Sequence, residues 1–149
     1  MRRSMTILIG VLTVIASGDS DASPVDEAKR LFDRYVALER AFDPALAELY
    51  SSDAVIRNKR RYPTGQVREL TIPASKYKEL IRTSLPLAKA RRDTNTYSDV
   101  GYVEEDGRVR VTATRFTNLK KYSSPMSLLV GPSNTGRWLI YEEISESQP

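Results

Sequence analysis

The feature that most constrains this chain is a change of hydrophobic period along its length. From Val25 to Phe42 the apolar positions Val25, Ala28, Leu31, Phe32, Tyr35, Leu38 and Phe42 recur at helical spacing, with Lys29, Arg30, Asp33, Arg34 and Arg40 on the other face. From Thr96 onward, four alternating segments are separated by turn-forming residues. Helices gathered early and strands gathered late cannot build successive βαβ crossovers, so a doubly wound parallel sheet is excluded and an α+β architecture is expected.

The start of the first helix is well signalled. Ser23 is suited to cap it, Pro24 to its first position, and Asp26 and Glu27 to the positive end of its dipole. Asp43-Pro44 then opens a short helix, Ala45 to Tyr50. A hairpin follows, with Ala54 to Tyr62 and Gln66 to Ile72 as strands and Tyr62-Pro63-Thr64-Gly65 as the turn. Helical spacing returns from Pro73 to Lys89 through Tyr77, Leu80, Ile81, Leu85 and Leu87, and Pro86 is expected to kink or end its regular part. Strands are expected at Thr96 to Glu104, Arg108 to Thr117, Ser124 to Val130 and Arg137 to Ser145, and the tail Glu146 to Pro149 is expected to be disordered. The helices must then cover one face of a strongly bent antiparallel sheet.

Ahead of this domain, Arg2 and Arg3 precede an apolar run, Met5 to Ala16, and a small, polar segment ending at Ala22. That is the three-part pattern of a cleavable secretory signal, with cleavage after Gly18 or Ala22. The run is shorter than the roughly 20 residues of a membrane span. The division expected is residues 1–22 as signal peptide and residues 23–149 as one domain, periplasmic or secreted, with no membrane span after cleavage. The net charge of +4 selects no partner. Outside the cytoplasm nucleic acid is not expected as one.

The chain has neither histidine nor cysteine. Ser-His-Asp triads, Cys-His pairs, histidine-ligated zinc and disulfides are thereby excluded, and no cofactor is expected. Any catalysis would run on carboxylates, tyrosines, arginines or lysines. Tyr35, Tyr77, Tyr97, Tyr102, Tyr122 and Tyr141 could donate, and Asp99, Glu142 or Glu143 could accept, but no spacing marks a catalytic set.

Strand alternation singles out Arg115. One face of Arg108 to Thr117 carries Val109, Val111, Ala113 and Arg115, which turns this arginine toward the helices. A buried arginine needs an anionic partner, and Asp99 or Glu142 could supply it. The pocket candidates are Arg115, Tyr35, Tyr77, Asp99, Trp138 and Glu142. A basic patch, Arg57, Lys59, Arg60, Arg61 and Arg68, crowds the first hairpin, as either a solvated loop or an anion or partner site.

The helix Glu27 to Ala41, the phrase Phe42-Asp43-Pro44-Ala45-Leu46-Ala47-Glu48-Leu49-Tyr50-Ser51-Ser52-Asp53-Ala54-Val55-Ile56, and Gly136-Arg137-Trp138-Leu139-Ile140 carry a resemblance. Over residues 25 to 145 the chain resembles the nuclear transport factor 2-like superfamily, which includes SnoaL-like polyketide cyclases and ketosteroid isomerases. It implies a cystatin-like cone of order ααββαββββ, with a pocket between helices and sheet and a possible homodimer through the sheet face. It does not fix a function. Three readings follow: a small hydrophobic or acidic ligand in the cone or a protein partner on the sheet; a metal-free isomerase, cyclase or hydrolase using pocket carboxylates and tyrosines; or an interaction component or inhibitor of the cell envelope. An open cone favours the first two, and a filled one the third.

Overall fold

The computed structural model describes residues 21–149. The expected leader, apart from Asp21 and Ala22, lies outside the described residues. Helix α1, Pro24–Arg40, opens with a reciprocal cap in which Ser23 Oγ accepts from Asp26 N and the Asp26 carboxylate accepts from Ser23 N. A 3-10 helix, Pro44–Leu49, follows, capped by Asp43. Strands β1 (Tyr50–Arg61) and β2 (Val67–Pro73) form the hairpin, and α2 spans Ala74–Arg91. Strands β3 (Asn95–Glu105), β4 (Arg108–Thr117), β5 (Tyr122–Pro132) and β6 (Trp138–Ser147) complete the domain.

The six strands form one sheet in the order β2-β1-β6-β5-β4-β3. The expected α+β order is observed, with one refinement: β1 and β6 run parallel, while the other neighbours are antiparallel. Placing the last strand beside the first closes the middle of the sheet and carries the C-terminal segment to the wide end of the cone. The tail expected to be disordered instead extends β6 to Ser147, and Gln148 is held by Tyr122 and Lys120.

Pro86 lies within α2 and does not end it. Pro86 and Arg82, whose carbonyl the proline leaves without its helical donor, are both exposed, while Ile81 and Leu85 are buried against the core. Leu80 and Leu87, on the apolar pattern of the sequence, are exposed.

The core is apolar at its centre. Ala28, Leu31, Phe32 and Tyr35 of α1 and Leu46, Ala47 and Leu49 of the short helix meet Ile56, Val109, Val111, Leu128, Val130 and Ile140 of the sheet. Toward the other end of the cone the inward row becomes polar: Arg115 stands opposite Ser124, Met126 opposite Ser145, and Asn58 opposite Ser145 in the parallel register.

Candidate functional site

A cavity of about 340 Å³ opens between α1, α2 and the polar end of the sheet. Tyr35, Tyr50, Tyr77 and Phe42 supply aromatic walls, Arg115 and Glu39 supply charge, and Arg60, Asp93, Lys120, Tyr122 and Gln148 surround the opening.

Behind the aromatic wall is a buried carboxylate, Glu143, only 1% exposed. The Tyr77 hydroxyl donates to it at 3.0 Å, and the Tyr50 hydroxyl donates to it at close range. The two rings meet edge to face at 5.2 Å. Burial pushes the Glu143 carboxyl above the usual glutamate range, against the lowering effects of Tyr50, Tyr77 and Arg115. A second carboxylate, Glu39, lies on the cavity wall. Tyr97 Oη donates to it, 2.9 and 3.0 Å from its two oxygens, and Tyr35 Oη lies 3.5 Å away. Its carboxyl is also raised by burial, although Tyr97, Asn95 and Arg115 work the other way. Tyr35, Tyr50, Tyr77 and Tyr97 are all raised, with burial the largest cause, and they act as neutral hydrogen-bond donors.

Arg115 feels the charge of both carboxylates. Its Nη2 donates to the Glu146 carbonyl at 2.7 Å, and its Nε is buried without a hydrogen-bond partner among the described residues. Burial works against its charge, while Tyr35, Tyr97, Glu143 and Glu39 favour it. Among the described residues no carboxylate lies within ion-pair distance of it. The hydroxyl of Ser124, directly opposite Arg115 on β5, is likewise buried and unpartnered.

The structure therefore brings together Arg115, Tyr35 and Tyr77 of the residues expected in a pocket, and separates the other three. Glu142 points to the outer face of the sheet, where it accepts from Arg110 at 3.0 Å and lies 4.0 Å from Arg57. The cause is a β-bulge: Val130 pairs with Ile140 but Leu129 pairs with Glu142, so Tyr141 is an extra residue. Strict alternation from Trp138 and Ile140 would turn Glu142 inward; the bulge turns Glu143 inward instead. Asp99 is displaced in the same way. Ser98 pairs with Thr114 and Gly101 with Thr112, and Asp99 occupies this irregularity with φ 52° and an exposed side chain. Trp138 is half-buried against the core at the narrow end, in a groove with Leu31 and Arg137, away from the cavity.

Glu39 and Tyr50 were missed by sequence reasoning. Glu39 follows Phe32 and Tyr35 by seven and four positions, so the helical stripe does place it toward the sheet; its charge disguised it. Tyr50 was assigned to the end of the short helix, whereas it begins β1. The basic hairpin patch is divided by strand alternation: Arg57, Lys59 and Arg61 share the outer face, and Arg60 faces the opening of the cavity.

No protein-family model matches the chain, and no curated protein matches it. Solved structures do. An NTF2-like protein of unknown function from Pseudomonas putida KT2440 is 11% identical, with 81% of this chain and 84% of that one covered at a TM-score of 0.62. An NTF-2 like protein of unknown function from Shewanella oneidensis MR-1 is 15% identical, covering 84% and 100% at 0.61. A protein from Shewanella frigidimarina, provisionally assigned as a ketosteroid isomerase, is 14% identical, covering 83% and 97% at 0.57. With its helices laid over a curved, unclosed sheet, this chain has the cystatin-like fold of the nuclear transport factor 2-like proteins.

Proposed function

We propose that this domain is an exported binding module that holds a small carboxylate-bearing ligand with an apolar body inside the cone, with Arg115 as the anchor. One observation carries the reading: Arg115 lines a cavity of about 340 Å³ without a carboxylate partner among the described residues. A half-buried arginine left without a counter-ion is costly, and a ligand carboxylate would supply two acceptors matched to the guanidinium fork. Tyr35, Phe42, Tyr50 and Tyr77 would cover the apolar part of the ligand.

Calorimetric titration with hexanoate, octanoate, decanoate, benzoate and 2-naphthoate tests this. At least one should bind saturably, and Arg115→Gln should weaken it tenfold or more, the worth of one charge-assisted hydrogen bond. Failure of every carboxylate to bind, or equal binding by a folded Arg115→Gln protein, refutes the assignment. The export element is checked by the mass of the protein recovered from the cell envelope or medium, which should begin after Gly18 or Ala22.

Glu39 favours a second reading, carboxylate acid-base chemistry of the isomerase, cyclase or hydrolase kind. It lies on the cavity wall with a raised pKa, within reach of a bound ligand. The single Tyr97 hydroxyl, 2.9 and 3.0 Å from its two oxygens, already donates to it, which places it second. Glu39-dependent exchange of α-protons from a ketone probe into deuterated water would reverse that order.

A further inference from the structure

The cations around the opening of the cone carry the anchor assignment one step further. On β1, Ile56, Asn58 and Arg60 alternate toward the helices, while Arg57, Lys59 and Arg61 alternate outward. The outward row meets acids on β6. Arg61 makes a two-pronged contact with Glu146, Nε at 2.8 Å and Nη2 at 3.0 Å, and Arg57 lies 4.0 Å from Glu142. Lys59 is opposite Glu146 in the parallel register. The inward row receives no such match. Arg60 is opposite Ser147 on one side and opposite Arg68 on the other, and both guanidinium groups lie over the ring of Tyr62, at 5.9 and 5.7 Å. Two like charges directly opposed across strands are unfavourable, and a half-buried position reduces the screening that would relieve them.

Lys120 adds a second cation at the same opening. Among the described residues its Nζ donates only to the Gln148 carbonyl, at 3.2 Å. Neither Arg60 nor Lys120 has a carboxylate within ion-pair distance among the described residues. Asp93 is the one acid among the opening residues named above, set against these two cations, and it too makes no ion pair among the described residues. Arg57 and Arg61 on the outer face thus meet acids, while Arg115 inside the cavity and Arg60 and Lys120 at its opening meet none within ion-pair distance among the described residues.

We propose that the cone selects an elongated dianion: one carboxylate on Arg115 inside, an apolar span against the tyrosines, and a second anionic group between Arg60 and Lys120. This rests on Arg115 being the anchor of a carboxylate ligand and adds the opposite end of the molecule. A ligand of one charge would leave the opening cations uncompensated. A dianion compensates both ends of one cavity.

The test compares matched probes by calorimetry: hexanoate, octanoate and decanoate against adipate, suberate and sebacate, and 2-naphthoate against 2,6-naphthalenedicarboxylate. At least one dianion should bind tenfold or more tighter than its monoanion. In the Arg60→Gln, Lys120→Gln double variant that ratio should fall to within about twofold, whereas Arg61→Gln, on the outer face, should leave it in place. Raising the salt concentration should also shrink the ratio. If monoanions bind through Arg115 but no dianion is preferred, or if the preference survives in the double variant, the dianion inference is overturned while the anchor stands. If no carboxylate binds at all, both fall.

Discussion

Removing the Tyr50 hydroxyl tests the buried half of the site directly. Tyr50 is 2% exposed and Glu143 1% exposed, so no bulk water is at hand to replace the lost donor. In Tyr50→Phe the ring and its edge-to-face contact with Tyr77 remain, and Glu143 keeps only the Tyr77 hydroxyl. A hydrogen bond between neutral partners contributes about 0.5–1.5 kcal/mol, and one to a charged partner about 1.5–3 kcal/mol. The substitution should therefore cost about 1 kcal/mol while Glu143 is protonated and about 2–3 kcal/mol once it ionises. Because burial raises the Glu143 pKa, that rise should set in above the usual glutamate titration. Urea unfolding from acid to neutral pH measures it, provided the slope with denaturant stays constant. A double-mutant cycle with Glu143→Gln isolates the pair, and about 0.5–3 kcal/mol of coupling is expected for residues in contact. A cost under about 0.5 kcal/mol at every pH, or no coupling, would show that the Tyr50 hydroxyl contributes nothing to Glu143 and would remove the cluster from the site.

Two further outcomes follow from the same geometry. A carboxyl whose pKa is higher folded than unfolded contributes stability that is intact below the unfolded value and is lost as pH rises through the folded one; Glu143→Gln should therefore flatten the decline of stability on leaving mild acid, as followed by thermal melts across that range. Removing Gln148 and Pro149 takes away the backbone carbonyl held by Lys120 and the amide held by Tyr122, so carboxylate probes should enter and leave the cavity faster in stopped-flow measurements; unchanged rates would mean that this segment does not obstruct the opening.

The order of elements was legible in the sequence because each boundary has a local cause. Ser23 and Asp26 cap α1 reciprocally, and Gly65, Gly107 and Gly136 take the positive φ that three of the turns require. Arg115 was legible for the same kind of reason, since β4 alternates without interruption from Val109 to Arg115. Its neighbours were not. Alternation assigns faces only while a strand has no extra residue, and both β3 and β6 contain one. Each bulge moves an expected inward acid, Asp99 or Glu142, to the outside. Nothing in the local composition around Tyr141 marks it as the inserted residue; its position is set by pairing with β5 on one side and β1 on the other, which are long-range contacts. The parallel junction of β1 with β6 is hidden for the same reason.

The bulge on β6 decides which acid the cone receives. Strict alternation would have turned Glu142 inward. The Tyr141 bulge instead delivers Glu143, and two tyrosine hydroxyls occupy that carboxylate before Arg115 can. Tyr97 occupies Glu39 in the same manner. Both interior acids are thus held by neutral donors, and both are biased by burial toward the protonated form. Arg115 is left with a backbone carbonyl and longer-range attraction. The protein has acids in the cone that could neutralise its half-buried arginine and holds them with tyrosines, which is the arrangement expected where the missing counter-charge arrives with a ligand.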